Sequence, residues 1–549
     1  MAGSDQIANV TERVAGEDAV DRNLSAGIAL ADALRATLGP KGSDKMLVGG
    51  GEVLLTNKGS SIVDRMEIEA PAAALVAEIA RAQRGELGDG STSAVVLAGA
   101  LLDEARSLLD DGFHPTTVVN GYSRAASRAR SHLDGLVTET ATDATTLRAV
   151  VETTITGRWD DERTEFLADL VTRGHEATRG RHDSLTIQGV AGADTEASEL
   201  LDGLVIDTGR SSTSLSDVPA LVPKRVADAT VVVVDDELTI RTPDAASRYS
   251  IDSADDLERV QAFESEEYER YVRALDTHSI DVLFCQKSVD DRLRTRLARE
   301  GVLVFERTRQ DEVHKLERAT GATAVMHPDD LSPNAVGRAS IVERRQFGET
   351  EFVVVRNAAA ETSVLLRGGT DHVVEETEDI VADGLAVLET LEDGSGLVPG
   401  GGAVEVALAR DLRTYARGIP DREAFAVEAF ADAVETIPAT LARNAGESPI
   451  DTLLELRRRH DEGETTVGVD ATTGGIGDVA EQGVLEPARL EDRIIANATQ
   501  AATCLLRVDE VIETDEPIGG GGDHDHGHDH DHGGGVRSST GGYPWAIGH

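Results

Sequence analysis

The chain of 549 residues contains few cysteines and few aromatic residues. Its two cysteines, Cys285 and Cys504, lie far apart and form no Cys-x-x-Cys pair, which excludes a disulfide framework and favours a reducing compartment. Aromatic residues make up only 3%, so the core must be built from alanine, valine, leucine and isoleucine. The first ten residues have no basic, apolar leader pattern, and no apolar run approaches the ~20 residues of a membrane span. The sequence therefore predicts a soluble, cytoplasmic protein.

Lysine is also scarce, because the chain has only six lysines and arginine supplies the rest of the positive charge; the formal net charge is -47. This balance predicts no nucleic-acid partner, which would need a basic face, and no binding to anionic membranes. Such a surface repels itself in dilute salt, whereas molar salt screens charges beyond about 3 Å. The composition indicates a salt-rich cytoplasm, as in halophilic archaea.

Residues 87–99 form the stretch around which the chain is organised. Gly88 and Gly90 allow a tight turn and the close approach of a ligand to the backbone. Three hydroxyl residues then begin an apolar helix, and free amides at a helix N-terminus favour phosphate oxygens. Asp89 adds a hard oxygen ligand suited to Mg²⁺. The alternative interpretation is simply a capped helix start.

The pattern of apolar residues changes twice along the chain. Helical spacing or helix-favouring composition predicts helices over about 18–38, 62–84 and 115–133, and a more charged helical region over 138–203. Apolar runs predict a hairpin at 45–55 and strands at 203–207, 229–235, 281–285 and 301–305. Helices return over 379–391, onward to about 461, and over 494–506, before a closing strand at 508–512. A helical, mixed, helical order suggests a discontinuous domain with an insertion.

Two polar segments stand apart from this pattern. Residues 251–275 are long, acidic and weakly apolar, which is typical of a solvated helix face or of an arm that extends from the core. Residues 516–549 form a tail rich in glycine, histidine and aspartate that cannot bury apolar area and is predicted to be disordered. Its histidines could bind transition metals, although no fold fixes their spacing.

Several separated segments resemble the group II chaperonins, that is, the archaeal thermosome family. Gly-Asp-Gly-Ser-Thr-Ser at 88–93 resembles the chaperonin phosphate-binding signature Gly-Asp-Gly-Thr-Thr. Further matching segments occur in the same order at 38–42, 56–59, 281–291, 319–323, 365–370, 399–405, 483–487 and 501–512. The resemblance extends from about residue 28 to 512, which is almost the whole chain.

The resemblance implies a multi-domain α and α/β fold. A helical equatorial domain that holds ATP would join residues 1–138 and 401–515. A small intermediate domain would cover 139–203 and 362–400. An α/β apical domain, 204–361, would bind unfolded protein and carry a helical lid protrusion at about 241–275.

The resemblance also assigns roles to individual residues. Nucleotide contacts are implied for Gly39, Pro40, Asn57, Asp89, Gly90, Ser91, Thr92, Ser93, Gly401 and Glu486. Asp89 would hold Mg²⁺, and Glu486 would contact the ribose. Asp383 would orient the attacking water, and Arg158 stands where relatives carry a lysine that senses the γ-phosphate.

Lys58 departs from the family pattern, which has aspartate between the asparagine and the glycine of this segment. That aspartate helps to polarise the hydrolytic water, and a positioned acid or base contributes about 10²–10⁴ in rate. A cation there favours holding the γ-phosphate over activating water, which predicts ATP binding with slow hydrolysis. The alternative is that Lys58 stabilises charge in the transition state, as an arginine finger does.

The resemblance implies an ATP-dependent chaperone subunit that assembles with other chaperonin subunits into a double ring and encloses non-native proteins. With Lys58 it would be an ATPase of slow or regulatory type. Two alternatives remain at this point. One is an enzyme such as a kinase that uses ATP on a small substrate, and the other is a passive nucleotide-bound ring scaffold.

The acidic composition predicts that salt stabilises the fold. We expect the melting temperature to rise from dilute to molar KCl, because counter-ions screen the repulsion among carboxylates. Thermal unfolding followed by circular dichroism across a KCl series measures this. A melting temperature that does not change with KCl would contradict the assignment.

Overall fold

A computed structural model describes residues 10–49, 52–138, 143–207, 224–239, 254–348, 350–357, 361–392, 394 and 396–514. The chain divides into two compact units, one formed by residues 1–19 with 509–549 and the other by residues 20–508. The predicted disordered tail and its metal-binding histidines lie outside the described residues. Within the described part, helices and strands alternate in the helical, mixed, helical order that the sequence predicts.

The first unit contains an antiparallel pair of strands from the two ends of the chain. Strand β1 (Val10–Ala15) pairs with β17 (Glu510–Thr514), so Val14 lies opposite Val511. The amide of Gly16 also donates to the carbonyl of Asp509 at 2.8 Å. The closing strand predicted at 508–512 is therefore present, two residues later than expected.

The largest apolar core joins helices from both ends of the second unit. The helices of its first half are α1 (Glu17–Arg35), α2 (Gly59–Arg65), α3 (Pro71–Leu87), α4 (Ser91–Asp110) and α5 (Pro115–Leu133). Those of its second half are α12 (Ala403–Ala416), α13 (Glu423–Val434), α14 (Thr436–Asn444), α15 (Pro449–Asp461) and α16 (Ala488–Leu506). One continuous cluster of buried aliphatic side chains connects the two halves.

Small side chains let these helices approach closely. A Cβ at Gly99 on α4 would overlap the Cβ of Ala31 on α1, so only glycine permits this spacing. The few aromatic residues sit at specific points: Tyr122 packs edge-on against Phe430, with ring centroids 5.6 Å apart. Its hydroxyl donates to the carbonyl of Leu101 at 2.8 Å. The scarcity of aromatic residues is thus matched by tight packing of alanine and glycine.

The middle of the chain forms a six-stranded sheet in the order β6-β11-β10-β7-β8-β9. Its strands are β6 (Leu204–Asp207), β7 (Arg225–Val234), β8 (Val282–Cys285), β9 (Leu303–Phe305), β10 (Gly337–Phe347) and β11 (Thr350–Arg356). β7, β8 and β9 run parallel, and the other neighbours are antiparallel. The sequence analysis predicted the first four strands and missed β10 and β11. Charged residues interrupt the apolar pattern of β10, whereas β11 contains the four-residue apolar run 352–355.

Both faces of this sheet are covered. Val231 and Val233 belong to one apolar cluster, whereas Val232 and Val234 belong to the other, as the two-residue period of a strand requires. The covering helices are α8 (Ala254–Thr277), α9 (Asp291–Arg299) and α10 (Gln310–Thr320). The acidic stretch predicted as an arm is helical from residue 254, and its last part, including Tyr268, is buried against the sheet. Residues 240–253 of the predicted protrusion lie outside the described residues.

A second, three-stranded sheet joins two distant parts of the chain. β12 (Thr362–Gly368) lies between β4 (Leu185–Ala191), which is parallel to it, and β5 (Glu199–Asp202), which is antiparallel. Helices α6 (Ala144–Ile155), α7 (Asp161–Thr178) and α11 (Asp371–Glu389) share an apolar cluster with it. The prediction that 138–203 is helical throughout is therefore wrong after Thr178. Polar residues inside β4 and β5 obscure the strand pattern.

Three two-stranded sheets complete the described residues. β2 (Lys45–Gly49) and β3 (Glu52–Thr56) form the predicted hairpin. β13 (Leu397–Pro399) pairs with β16 (Leu485–Pro487), and β14 (Val467–Asp470) pairs with β15 (Gly475–Asp478). No helix within the described ranges is both long enough and apolar enough to cross a membrane.

The close packing of α1 on α4 generates a stability prediction. Gly99→Ala adds a methyl group where the neighbouring Cβ leaves no room, and overpacking of this kind costs about 1–3 kcal/mol. We expect a lower denaturation midpoint in urea at constant molar KCl. Gly85→Ala on α3 is the matched control, since its new Cβ meets no atom within 4 Å and should stabilise the helix by about 0.5–1 kcal/mol. Equal midpoints for wild type and Gly99→Ala would contradict the packing argument.

Candidate functional site

The N-terminus of α4 opens into a cleft of about 330 Å³. Gly88 ends α3 at φ +74°, and Gly90 precedes α4 at φ +76°, a left-handed conformation that glycine adopts without strain. No side chain caps α4, so its first amides are available to a ligand. Asp89 projects at the turn between these glycines, and its carboxylate accepts from the Gly90 amide at 2.6 Å. The free N-terminus of α4, a helix of 20 residues, favours the binding of an anion.

Three further loops form the walls of the cleft. The first is the turn after α1, which contains Gly39 and Pro40, and the second contains Asn57. The third follows α6, where a Cβ on Gly157 would lie 2.6 Å from the Cα of Pro40. The Asn57 amide side chain donates to the Gly157 carbonyl at 3.0 Å, which joins the second and third loops. These contacts place Arg158, the next residue, at the cleft.

The structure brings almost all of the predicted site residues together. Those that line the cleft are Gly39, Pro40, Asn57, Lys58, Asp89, Gly90, Ser91, Thr92, Ser93, Arg158, Gly401 and Glu486. Apolar side chains also line it, namely Leu38, Ile437, Leu441, Val469, Ala471, Val484, Leu490 and Ile494. Asp383 is the exception, because it does not line the cleft and its side chain is only 4% exposed.

Three basic side chains surround the carboxylate of Asp383. Its carboxylate is 2.5 Å from the Lys58 ammonium and 2.8 Å from the Arg158 guanidinium. Arg84 approaches the other carboxylate oxygen to 3.9 Å. One helical turn earlier on α11, Asp379 lies 3.6 Å from the Lys58 nitrogen and accepts from Arg84 at 3.1 Å. Three cations thus share two carboxylates at one wall of the cleft.

The charge state of Lys58 reflects competing effects. Burial lowers its pKa from the ordinary value because an ammonium loses hydration. The Asp383 carboxylate opposes this by favouring the charged form, and the nearby Arg158 reinforces the lowering by repulsion. The ion pair with Asp383 therefore offsets part of the cost of burying the charged lysine.

A group of carboxylates lies at another part of the cleft. Burial and the charge of Glu486 raise the pKa of Glu405 to about 8. Burial also raises the pKa of Glu486 to about 6, and that of Glu491 well above its ordinary value. Glu486 and Glu491 are hydrogen-bonded to each other, which requires a proton between the two carboxyl groups. The group therefore carries less negative charge at neutral pH than its composition suggests.

The donor set of the cleft fits a nucleotide with magnesium. Asp89 and the hydroxyls of residues 91–93 are hard oxygen donors, the type that Mg²⁺ prefers. Burial raises the pKa of Asp89, while the Gly90 amide and the charge of Arg158 lower it. A bound cation would favour the ionised carboxylate for the same reason that Arg158 does.

Sequence reasoning missed four charged residues near the site: Arg84, Asp379, Glu405 and Glu491. Each carried a signal. Asp379 and Asp383 are four residues apart on one helix and so share a face. Glu405 and Glu491 stand at positions where the helical pattern calls for apolar residues, and buried carboxylates at such positions mark candidate sites.

Comparisons with known proteins agree with this geometry. The model of the TCP-1/cpn60 chaperonin family matches residues 30–516. The chain is 40% identical over 523 residues to thermosome subunit alpha of Halobacterium salinarum, covering 94% of this chain and 92% of that protein. It is 41% identical over 517 residues to thermosome subunit 3 of Haloferax volcanii, covering 92% and 97%. Thermosome subunit alpha of Thermoplasma acidophilum is 37% identical over 514 residues, covering 91% and 93%.

These matches span the chain and confirm the resemblance from which the fold was predicted. They support an ATP-dependent chaperonin subunit and do not favour a small-substrate kinase or a passive scaffold. The chain therefore belongs to the TCP-1/cpn60 chaperonin family, as a group II chaperonin subunit of the thermosome type.

Proposed function

We propose that this subunit binds ATP with Mg²⁺ in the cleft and hydrolyses it slowly, as a timing or regulatory member of a chaperonin ring. The observation that carries the proposal is the Lys58–Asp383 ion pair at 2.5 Å beside the free N-terminus of α4. The ion pair restrains Asp383, the residue expected to orient water. The free N-terminus of α4 provides the anion site.

The phosphates would lie at the N-terminus of α4. Gly39 and Pro40 would contact them through the backbone, and Gly90 with residues 91–93 would supply amides and hydroxyls. Asp89 would hold Mg²⁺, which neutralises phosphate charge when bound. Gly401 would pack against the nucleotide, and Glu486 would contact the ribose. The family membership and the shared lining of the cleft support these assignments.

Asp383 would orient the attacking water only after its ion pairs with Lys58 and Arg158 break. A carboxylate paired with Lys58 and Arg158 has fewer free lone pairs to accept a hydrogen bond from water than an unpaired one. Unit charges ~4 Å apart interact by about 4 kcal/mol at an effective dielectric of ~20. Lys58 would therefore hold the γ-phosphate and restrain Asp383 at the same time. Arg158 would sense the γ-phosphate and report its loss through Asp383.

Replacing Lys58 tests this restraint. We expect Lys58→Asp to raise steady-state ATP turnover in molar KCl by about 10²-fold or more, since it supplies the family carboxylate and releases Asp383 from the ammonium. Lys58→Gln should give a smaller rise, because it removes the cation without adding an acid. Phosphate release measures turnover, and equilibrium ATP binding measured on the same samples separates affinity from rate.

Lys315→Gln is the matched control, since Lys315 on α10 pairs with Asp311 at 3.7 Å and does not line the cleft. Its turnover should equal that of the wild type. If the wild type already turns over as fast as Lys58→Asp, or if both Lys58 variants are slower, then Lys58 assists hydrolysis and the proposed restraint is wrong.

The carboxylate group would make nucleotide binding depend on pH. Between pH of about 6 and about 8, Glu486 and Glu405 lose protons and add negative charge to the cleft. We expect ATP affinity to fall across this window. The unfolding free energy should fall as well, because raised pKa values mean that the folded state binds more protons than the unfolded state.

Glu405→Gln should flatten both profiles, because the amide mimics the protonated acid. Isothermal titration with ATP and urea unfolding at several pH values measure the two effects. Glu428→Gln, an exposed position on α13, is the control and should leave both slopes intact. Slopes that Glu405→Gln does not change would refute the role of this carboxyl group.

The proposed domain division follows the resemblance: equatorial 1–138 and 401–515, intermediate 139–203 and 362–400, and apical 204–361. The three separate apolar clusters of α1–α5 with α12–α16, of the three-stranded sheet and of the six-stranded sheet support it. Unfolded proteins would bind the apical part, and other chaperonin subunits would complete a cytoplasmic double ring. A protrusion at about 241–275 would serve as the lid.

A further inference from the structure

Two histidines and a glutamate converge away from the nucleotide cleft. His175 lies in the last turn of α7, and His182 begins a short 3₁₀ helix, His182–Ser184. Glu392 follows the C-terminus of α11. One ligand atom from each side chain lies within 4.8 Å of those of the other two. Two segments more than 200 residues apart in sequence thus meet through three metal-ligating side chains.

The two imidazoles face each other through ring nitrogens. The Nδ1 atom of His175 lies 2.8 Å from the Nε2 atom of His182. Two nitrogens bound tetrahedrally to one Zn²⁺, at ~2.0–2.1 Å each, would be ~3.3 Å apart. A shift of about half an ångström therefore converts the present contact into a pair of metal ligands.

Two further contacts support a built site. Gly180 has φ +78°, and a Cβ there would overlap the Oε1 atom of Glu392, so glycine leaves the space that this carboxylate occupies. The other ring nitrogen of His182, Nδ1, lies 3.9 Å from the Oε2 atom of Glu389. That separation exceeds hydrogen-bond distance, so Glu389 places a negative charge near His182 without fixing its ring.

We propose that His175, His182 and Glu392 bind one divalent transition-metal ion of the Zn²⁺ type, with water completing the coordination. Two imidazoles and one carboxylate suit Zn²⁺ or its neighbours, whereas Mg²⁺ prefers oxygen ligands only. The ion joins α7 to the end of α11. Because α11 also carries Asp379 and Asp383, the metal restrains the helix whose carboxylates pair with Lys58.

The test uses the full chain with the six tail histidines replaced by alanine, since they offer competing imidazoles: His524, His526, His528, His530, His532 and His549. Co²⁺ is the probe, because its visible absorption reports imidazole coordination, and Zn²⁺ displaces it in competition. We expect one Co²⁺ per chain. His182→Ala and Glu392→Gln should each weaken binding by at least about tenfold.

His372→Ala is the matched control, a histidine that is 90% exposed on α11 and outside the cluster. It should bind Co²⁺ as the parent does. Glu392→Gln keeps the size of an exposed side chain, so its effect does not depend on a folding defect. The proposal is overturned if the parent binds no Co²⁺, or if the cluster variants bind it as tightly as His372→Ala.

Discussion

The buried helix α4 is the constraint on which the site depends. Most of its residues from Ala94 to Ala105 are inaccessible to solvent, packed between helices from both halves of the chain. Its N-terminus cannot be capped by its own sequence, because Gly90 has no side chain to accept from the first amides. The packed core thus holds the free N-terminus of α4 at the cleft, and the nearby loops form the remaining walls.

Charge around this site is balanced in an unusual way. On a chain with a net charge of -47, three of the scarce cations gather at Asp383 and Asp379. Buried glutamates on the other side of the cleft are held partly protonated. Both arrangements lower the negative potential that ATP would meet. The same cations pair with Asp383, the carboxylate expected to act on water.

Helix α11 connects features that are distant in sequence. One of its faces packs on the three-stranded sheet and the other carries the two aspartates toward Lys58. Its C-terminal end approaches the histidine pair beside α7. A movement of this helix would therefore change the environment of Asp383 and the spacing of His175, His182 and Glu392 together. Its position is a physical link between the cleft and the middle of the chain.

The family, the helical and mixed regions, and twelve of the residues that line the cleft could be predicted from the sequence. Local sequence patterns are sufficient for prediction where a glycine turn, a helix start or an apolar run is compatible with only one local structure. Strands β4, β5 and β10 escaped detection because polar residues interrupt them, and neighbouring strands compensate only after folding. The sequence also identified Lys58 as the departure from the family. The partner of Lys58 followed only from the tertiary structure, because Asp383 lies 325 positions away and spacing along a chain carries no record of such a contact.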